Sequence, residues 1–215
     1  WSPSFEIWVY DLNGSQVRTI DIPKMTYPVD IVMDENGTLF LLGAYSVMCL
    51  ENDGTFKWRA GKNASETSYG TSGSGDGEFN LPQSLAVAPD GNLYIADSDN
   101  ARIQVLDRDG TYLRQFGKPL GDDPAPGELI NPTRIDYFNN EIRIKDIEYL
   151  KIYSLDGTFS KRIDLEKTRS WYETNWNNFI SLQDGIILTD GRFDYEWYSD
   201  GYSLYDKGIL YYGES

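Results

Sequence analysis

The sequence predicts an all-β protein made from repeats of one four-stranded antiparallel unit. Three observations carry this reading. Short runs with apolar residues at alternate positions recur along the chain, as in half-buried strands. Turn pairs punctuate them at regular intervals: Asp53-Gly54, Asp109-Gly110 and Asp156-Gly157, with Pro28, Pro82 and Pro132 ahead of the runs. No stretch carries convincing helical periodicity. The unit is clearest between Gly73 and Gly117. Gln83–Val87 is its first strand, closed by Pro89-Asp90-Gly91, and Leu93–Ala96 is its second. Arg102–Leu106 is the third, and after Asp109-Gly110 comes the fourth, Tyr112–Phe116. Four short antiparallel strands repeating every ~40–50 residues are the signature of a β-propeller blade. A β-sandwich would not repeat its turns at this spacing.

The remaining units follow in order. Phe5–Tyr10 and Gln16–Ile20, joined by Asp11-Leu12-Asn13-Gly14, match the third and fourth strands and give a half blade over 5–20. The first full blade spans 27–60, with strands at 29–33, 39–42, 46–50 and 56–58. A Gly- and Ser-rich loop, 61–78, reads by composition as the most flexible segment. The blade at 82–117 comes next, and a proline-containing loop leads to the blade at 132–163. The last unit, 177–213, reads as strands at 178–182, 186–189, 202–205 and 209–212. About four and a half blades are therefore expected. A propeller must close to leave no strand edge open, so the chain is expected to be part of a longer propeller, or completed by other chain segments or subunits.

Composition narrows the function. Thirty-four acidic residues against nineteen basic ones leave a net charge of -15, which repels nucleic-acid backbones and anionic membranes. No nucleic-acid partner is expected, although Arg134, Arg143, Lys145 and Lys151 form a local basic set. There is no histidine, so the usual general base and the commonest transition-metal ligand are missing. The single cysteine, Cys49, lies in an apolar strand and reads as inert core. No apolar run is long enough to span a membrane.

Residues 73–117 resemble the NHL repeat. The resemblance rests on Gly75-Asp76-Gly77-Glu78-Phe79-Asn80 with Pro82, on Leu85-Ala86-Val87, on Asp90 through Ser98, and on Asn100, Arg102, Ile103, Gln104 and Val105. Gly127-Glu128-Leu129-Ile130-Asn131-Pro132 is a second copy of the lead-in segment. Three departures stand out: Gly43 replaces the aspartate that ends the second strand, Asn139-Asn140 replaces a turn with glycine, and the last unit diverges after Asp190. The resemblance implies a six-bladed propeller. Some relatives of this fold are metal-dependent lyases or hydrolases, and some NHL domains bind RNA.

In such a fold the short turns share one face and look too compact to build a site. The long connections, 61–80, 97–101, 118–131, 164–176 and 190–200, share the other, where function is expected. Three constellations project there. Asp30, Ser84, Arg134 and Asn178 fall at equivalent first-strand positions around the channel mouth and suit a polar ligand or Ca²⁺. Asp97, Asp146 and Asp190 end the second strands; they suit either a cation or turn hydrogen bonds, with Arg102 able to neutralise Asp97. Trp171, Tyr172 and Trp176 lie in one connection, and Tyr195 and Trp197 in the next; such aromatics suit a sugar, a cationic peptide or a protein interface. The ligand-binding candidates are thus Trp171, Tyr172, Trp176, Tyr195, Trp197 and Arg134. The metal candidates are Asp30, Asp97 and Asp146, with calcium as the suitable cation and no other cofactor indicated. Of three Asn-x-Ser/Thr triplets, only the one at Asn63 lies outside a tight turn. The leading expectation is a non-catalytic, extracellular or periplasmic module that binds a protein or glycan. The alternatives are a calcium-dependent lyase or hydrolase and a structural module of a surface assembly.

Overall fold

The computed structural model describes residues 5–25, 27–120 and 125–165, and beyond them the backbone of strands 178–182, 185–189, 193–198, 201–206 and 209–213. It is a β-propeller. β1 (Phe5–Tyr10) and β2 (Gln16–Ile22) pair antiparallel. β3 (Asp30–Met33), β4 (Leu39–Leu42), β5 (Val47–Leu50) and β6 (Phe56–Ala60) form the first four-stranded sheet, in chain order. A small hairpin, β7 (Ala64–Ser65) with β8 (Ser68–Tyr69), interrupts the next connection. β9 (Ser84–Val87), β10 (Leu93–Asp97), β11 (Arg102–Leu106) and β12 (Tyr112–Phe116) form the second sheet. β13 (Pro132–Phe138), β14 (Glu141–Asp146), β15 (Tyr149–Ser154) and β16 (Phe159–Asp164) form the third. The described helical content is one 3₁₀ turn, Ser98–Asn100.

The burial pattern explains how these sheets stack. β4, β5, β10 and β11 are buried at every position, which happens when a strand is covered on both faces. One apolar cluster joins Ile20 and Ile22 of β2 to Leu39, Leu41, Met48 and Leu50 of the first full sheet. A second joins Phe40, Leu42, Val47 and Cys49 to Phe79, Leu85, Leu93 and Ile95. A third joins Tyr94, Ala96, Ile103 and Val105 to Leu129, Ile135, Ile142 and Ile144. The core thus lies between consecutive sheets, and the first strands β3, β9 and β13 stand side by side around the axis. The seams are tight at the turns. Gly110 (φ +83°) lies over Trp58 of the preceding sheet, where a Cβ would sit 2.7 Å from the indole.

Two expectations are corrected. The last unit is not a plain four-stranded blade. β17 (Asn178–Leu182), β18 (Gly185–Thr189) and β21 (Ile209–Gly213) form a three-stranded sheet. The run at 202–205, expected as its third strand, belongs to β20 (Gly201–Asp206), which pairs with β19 (Phe193–Tyr198) in a separate hairpin. Tyr195 and Trp197 therefore lie in a strand, not a loop. The alternation of Phe193, Tyr195 and Trp197 with Asp194 and Glu196 is itself a strand pattern. The Gly-rich loop is also not loose. Gly73 N donates to Phe79 O, Gly77 N to Gln104 Oε1, and Asn100 Nδ2 to Gly73 O. Glycine serves close approach here, since a Cβ on Gly73 would sit 2.3 Å from Glu78 Oε2.

Candidate functional site

The connections 61–80 and 97–101 and the described part of 118–131 gather at one end of the blades, and two buried carboxylates hold them there. Asp97, at the end of β10, is fully buried. It accepts from Asn80 N at 2.8 Å, Asn100 Nδ2 at 2.9 Å, Arg102 Nε at 2.8 Å and Gln104 Nε2 at 3.2 Å. Arg102, 1 % exposed, also donates to the carbonyls of Gly75 and Glu78 and to Gln115 Oε1. One buried ion pair thereby fastens the lead-in loop of its blade to the turn after β10. A buried charge is tolerated only when paired and fully hydrogen-bonded, and this one is.

Asp146 repeats the device one blade later. It is fully buried and accepts from Ile130 N at 3.0 Å, Asn131 N at 2.7 Å and Lys151 Nζ at 2.7 Å. Lys151 also donates to the Glu128 carbonyl. The cation comes from a different place. Arg102 lies directly opposite Asp97, but the residue opposite Asp146 is Tyr149. Lys151 instead holds the register position of Gln104, two residues along, and reaches the same two acceptor positions. In the first full sheet Gly43 stands where the aspartate would be, and Arg59 of β6 takes over by donating to Pro23 O at 2.7 Å and to Ser65 and Ser68 carbonyls.

Glu78 and Glu128 close their own loops. Glu78 accepts from Gly75 N at 3.0 Å, and that bond holds its carboxyl below the usual carboxylate range. Glu128 accepts from Leu120 N and Ala125 N at 3.1 and 2.9 Å.

At the axis the structure brings together three of the first-strand residues singled out above. Asp30 Oδ2 accepts from Ser84 Oγ at 2.8 Å, Leu85 N at 3.2 Å and Arg134 Nη1 at 3.4 Å, while Asp30 Oδ1 accepts from Ile31 N. Arg134 keeps donors in reserve, because its side chain is 36 % exposed and meets Asp30 through Nη1. The cluster can hold a carbonyl or carboxylate oxygen against Arg134.

The three aspartates expected to suit calcium have other employment. Asp97 and Asp146 spend their lone pairs on backbone amides and a buried cation, and Asp30 on Ser84, Leu85 and Arg134. Among the described residues no three His, Cys, Asp or Glu side chains gather as a metal site. Trp171, Tyr172 and Trp176 lie outside the described residues, and of Tyr195, Trp197 and Asn178 only the backbone placement is described. The opposite face is less bare than expected. A cavity of about 210 Å³ opens among its turns, lined by Met33, Asp34, Pro89, Arg108 and Tyr137 among others. Within it Arg108 pairs with Asp34 and also donates to Thr38 Oγ1.

A family model described as the NHL repeat matches residues 79–106, the stretch that contains Asp97, Arg102 and Gln104. The chain is 38 % identical to RING finger protein nhl-1 of Caenorhabditis elegans over 61 residues, 28 % of this chain and 6 % of that protein. It is 34 % identical to human Teneurin-1 over 86 residues, 38 % of this chain and 3 % of that protein. The chain thus spans only a small part of these relatives. Among solved structures, a catalytically inactive virginiamycin B lyase from Staphylococcus aureus with quinupristin superposes with a TM-score of 0.62 at 14 % identity, over 86 % of this chain and 56 % of that one. At that identity the likeness is one of fold alone.

Proposed function

We propose that the chain, a β-propeller that carries an NHL repeat at residues 79–106, is a non-catalytic binding module of the NHL type. It recognises a protein or glycan through the loop-bearing end of the blades, outside the cytoplasm. One observation carries the reading. The loops at that end are fastened by buried pairs, Asp97 with Arg102 and Asp146 with Lys151, whereas the other end consists of short turns. Fastened loops present a preorganised surface, which lowers the entropic cost of binding. The same pairs occupy two of the three aspartates expected to suit calcium. The setting outside the cytoplasm is supported by the exposed Asn63, which heads an Asn-Ala-Ser triplet in the loop-bearing end.

The test uses alanine at Trp171, Trp176 and Trp197, three of the aromatics that the sequence singles out. The reading predicts weaker capture of the partner in a pull-down with unchanged melting temperature. Unchanged capture by all three variants would contradict it.

A further inference from the structure

We propose that the cavity at the short-turn end binds a small organic cation, an alkylamine whose stem packs on Met33, Val87 and Tyr137 and whose ammonium pairs with Glu35. The site goes beyond the binding-module reading, which concerns the other end of the blades. The cavity, of about 210 Å³, lies where the first strands finish. Met33 and Val87 are the last residues of β3 and β9, and Tyr137 is the last but one of β13. The β3–β4 and β9–β10 turns form its sides. Drug-sized sites hold ~300–1,000 Å³, so this one takes a smaller molecule.

The walls are built before any ligand arrives. Asp34 Oδ1 accepts from Asn36 N and Thr38 N, both at 2.9 Å, and fixes the first turn. Gly37 N donates to Asp34 O at 3.0 Å, and Gly91 N to Ala88 O at 2.8 Å. Arg108 crosses from the second full sheet to the first, pairing with Asp34 and donating to Thr38 Oγ1 at 3.1 Å. With the Asn36 amide oriented to satisfy both groups, its oxygen accepts from Arg108 Nη1 at 3.1 Å and Nη2 at 3.2 Å. The guanidinium is thus a fixed wall whose charge is met by Asp34. Preorganised walls lower the cost of binding. Met33 is 62 % exposed here, so an apolar stem that covers it gains by removing it from water.

Charge selects a cation. Glu35 is exposed, and its carboxylate makes no hydrogen bond or ion pair among the described residues. Asp90, in the neighbouring turn, accepts from Asn92 N at 3.0 Å and Asn92 Nδ2 at 2.6 Å and faces no cation among the described residues. The cations close to the axis at this end are already paired, Arg108 with Asp34 and Arg143 with Glu141. Arg18, Lys57, Arg114 and Lys161 stand on β2, β6, β12 and β16, the outer strands of their sheets. The exposed acids Asp53, Asp109 and Asp156 offset them there. Unbalanced negative charge therefore remains beside the cavity, at Glu35 and Asp90. An anion would be repelled by both and would find Arg108 already held by Asp34. An ammonium is drawn to Glu35, and an aromatic ring such as that of Tyr137 adds to the attraction.

The experiment follows the backbone amide signals of the folded chain by nuclear magnetic resonance during titration with n-butylamine and, separately, n-butyrate. Butylamine is expected to shift residues 33–37, 87–91 and 137, with an affinity that falls as ionic strength rises. Butyrate is expected to leave these signals in place. Glu35→Gln and Met33→Ala, both at exposed side chains, are each expected to weaken butylamine about threefold with the melting temperature unchanged. Nα-acetyl-lysine amide, titrated alongside, separates two sources of the amine. Shifts with both compounds place a protein's lysine side chain among the occupants, and shifts with butylamine alone confine the site to free amines; either result supports the proposal. Four results overturn it: no shift at these residues, shifts spread evenly over all exposed acids, an equal response to butyrate, or an affinity indifferent to both substitutions.

Discussion

Asp97 and Arg102 show how a single buried pair organises a blade. Among the described residues each is the other's ion-pair partner, and both are sealed from solvent. Removing one leaves an uncompensated charge, so Asp97→Ala or Arg102→Ala is expected to destabilise the fold by about 3–5 kcal/mol in denaturant unfolding. Asp156 acts differently, at a fully exposed turn. Its carboxylate accepts from Ser154 Oγ at 2.5 Å and from Thr158 N at 2.9 Å, and these bonds lower its pKa from the ordinary 3.8 to about 2. A depressed acid stabilises the fold above its ordinary pKa and loses that contribution as pH falls through the folded value. The stability difference between the parent and Asp156→Asn should therefore be constant above pH ~4 and shrink between about 4 and 2. A difference that persists unchanged at pH ~2 would exclude this role. Cys49 is a third case: burial pushes its thiol up to about 12, and it is 1 % exposed. A thiol reagent should label it only after unfolding.

At the scale of elements, the repeats were largely legible in the sequence, because alternation and Asp-Gly turns are local signals. The strands of the three full blades fall where the pattern places them. So does the meeting of Asp30, Ser84 and Arg134, since equivalent positions on neighbouring first strands must converge on the axis. Three things were not legible. Lys151 stands in for Arg102 from a position two residues along, which depends on side-chain reach across the loop. The composition of 61–78 hid a bonded loop, because glycine permits close packing as readily as motion. Tyr27, Leu81 and Ile147 take a positive φ and carry no sequence mark of it, since residues of their type normally avoid it. The substitution of one staple for the other is testable. Lys151→Gln should cost about 3 kcal/mol, and adding Tyr149→Arg, which restores a cation opposite Asp146, should recover most of it in the same unfolding measurement. No recovery would mean that the two staples are not equivalent.

Across the whole molecule, stability lies in the seams between sheets. Phe79 belongs to a lead-in loop yet is fully buried between the first and second full sheets. Phe79→Ala should cost about 3–5 kcal/mol, as for a core aromatic, and not the few tenths of a surface loop residue. The same arrangement leaves the two ends of the blades chemically unlike. One end carries loops fastened by buried ion pairs; the other carries short turns. Amide hydrogen exchange of the chain with and without a bound partner separates the two ends directly. Protection is predicted at residues 27–30, 80–81, 97–101, 130–134 and 146–149. Protection confined to the turns at 34–37, 51–54, 88–91, 107–110 and 154–157 would contradict the assignment of binding to the loop-bearing end.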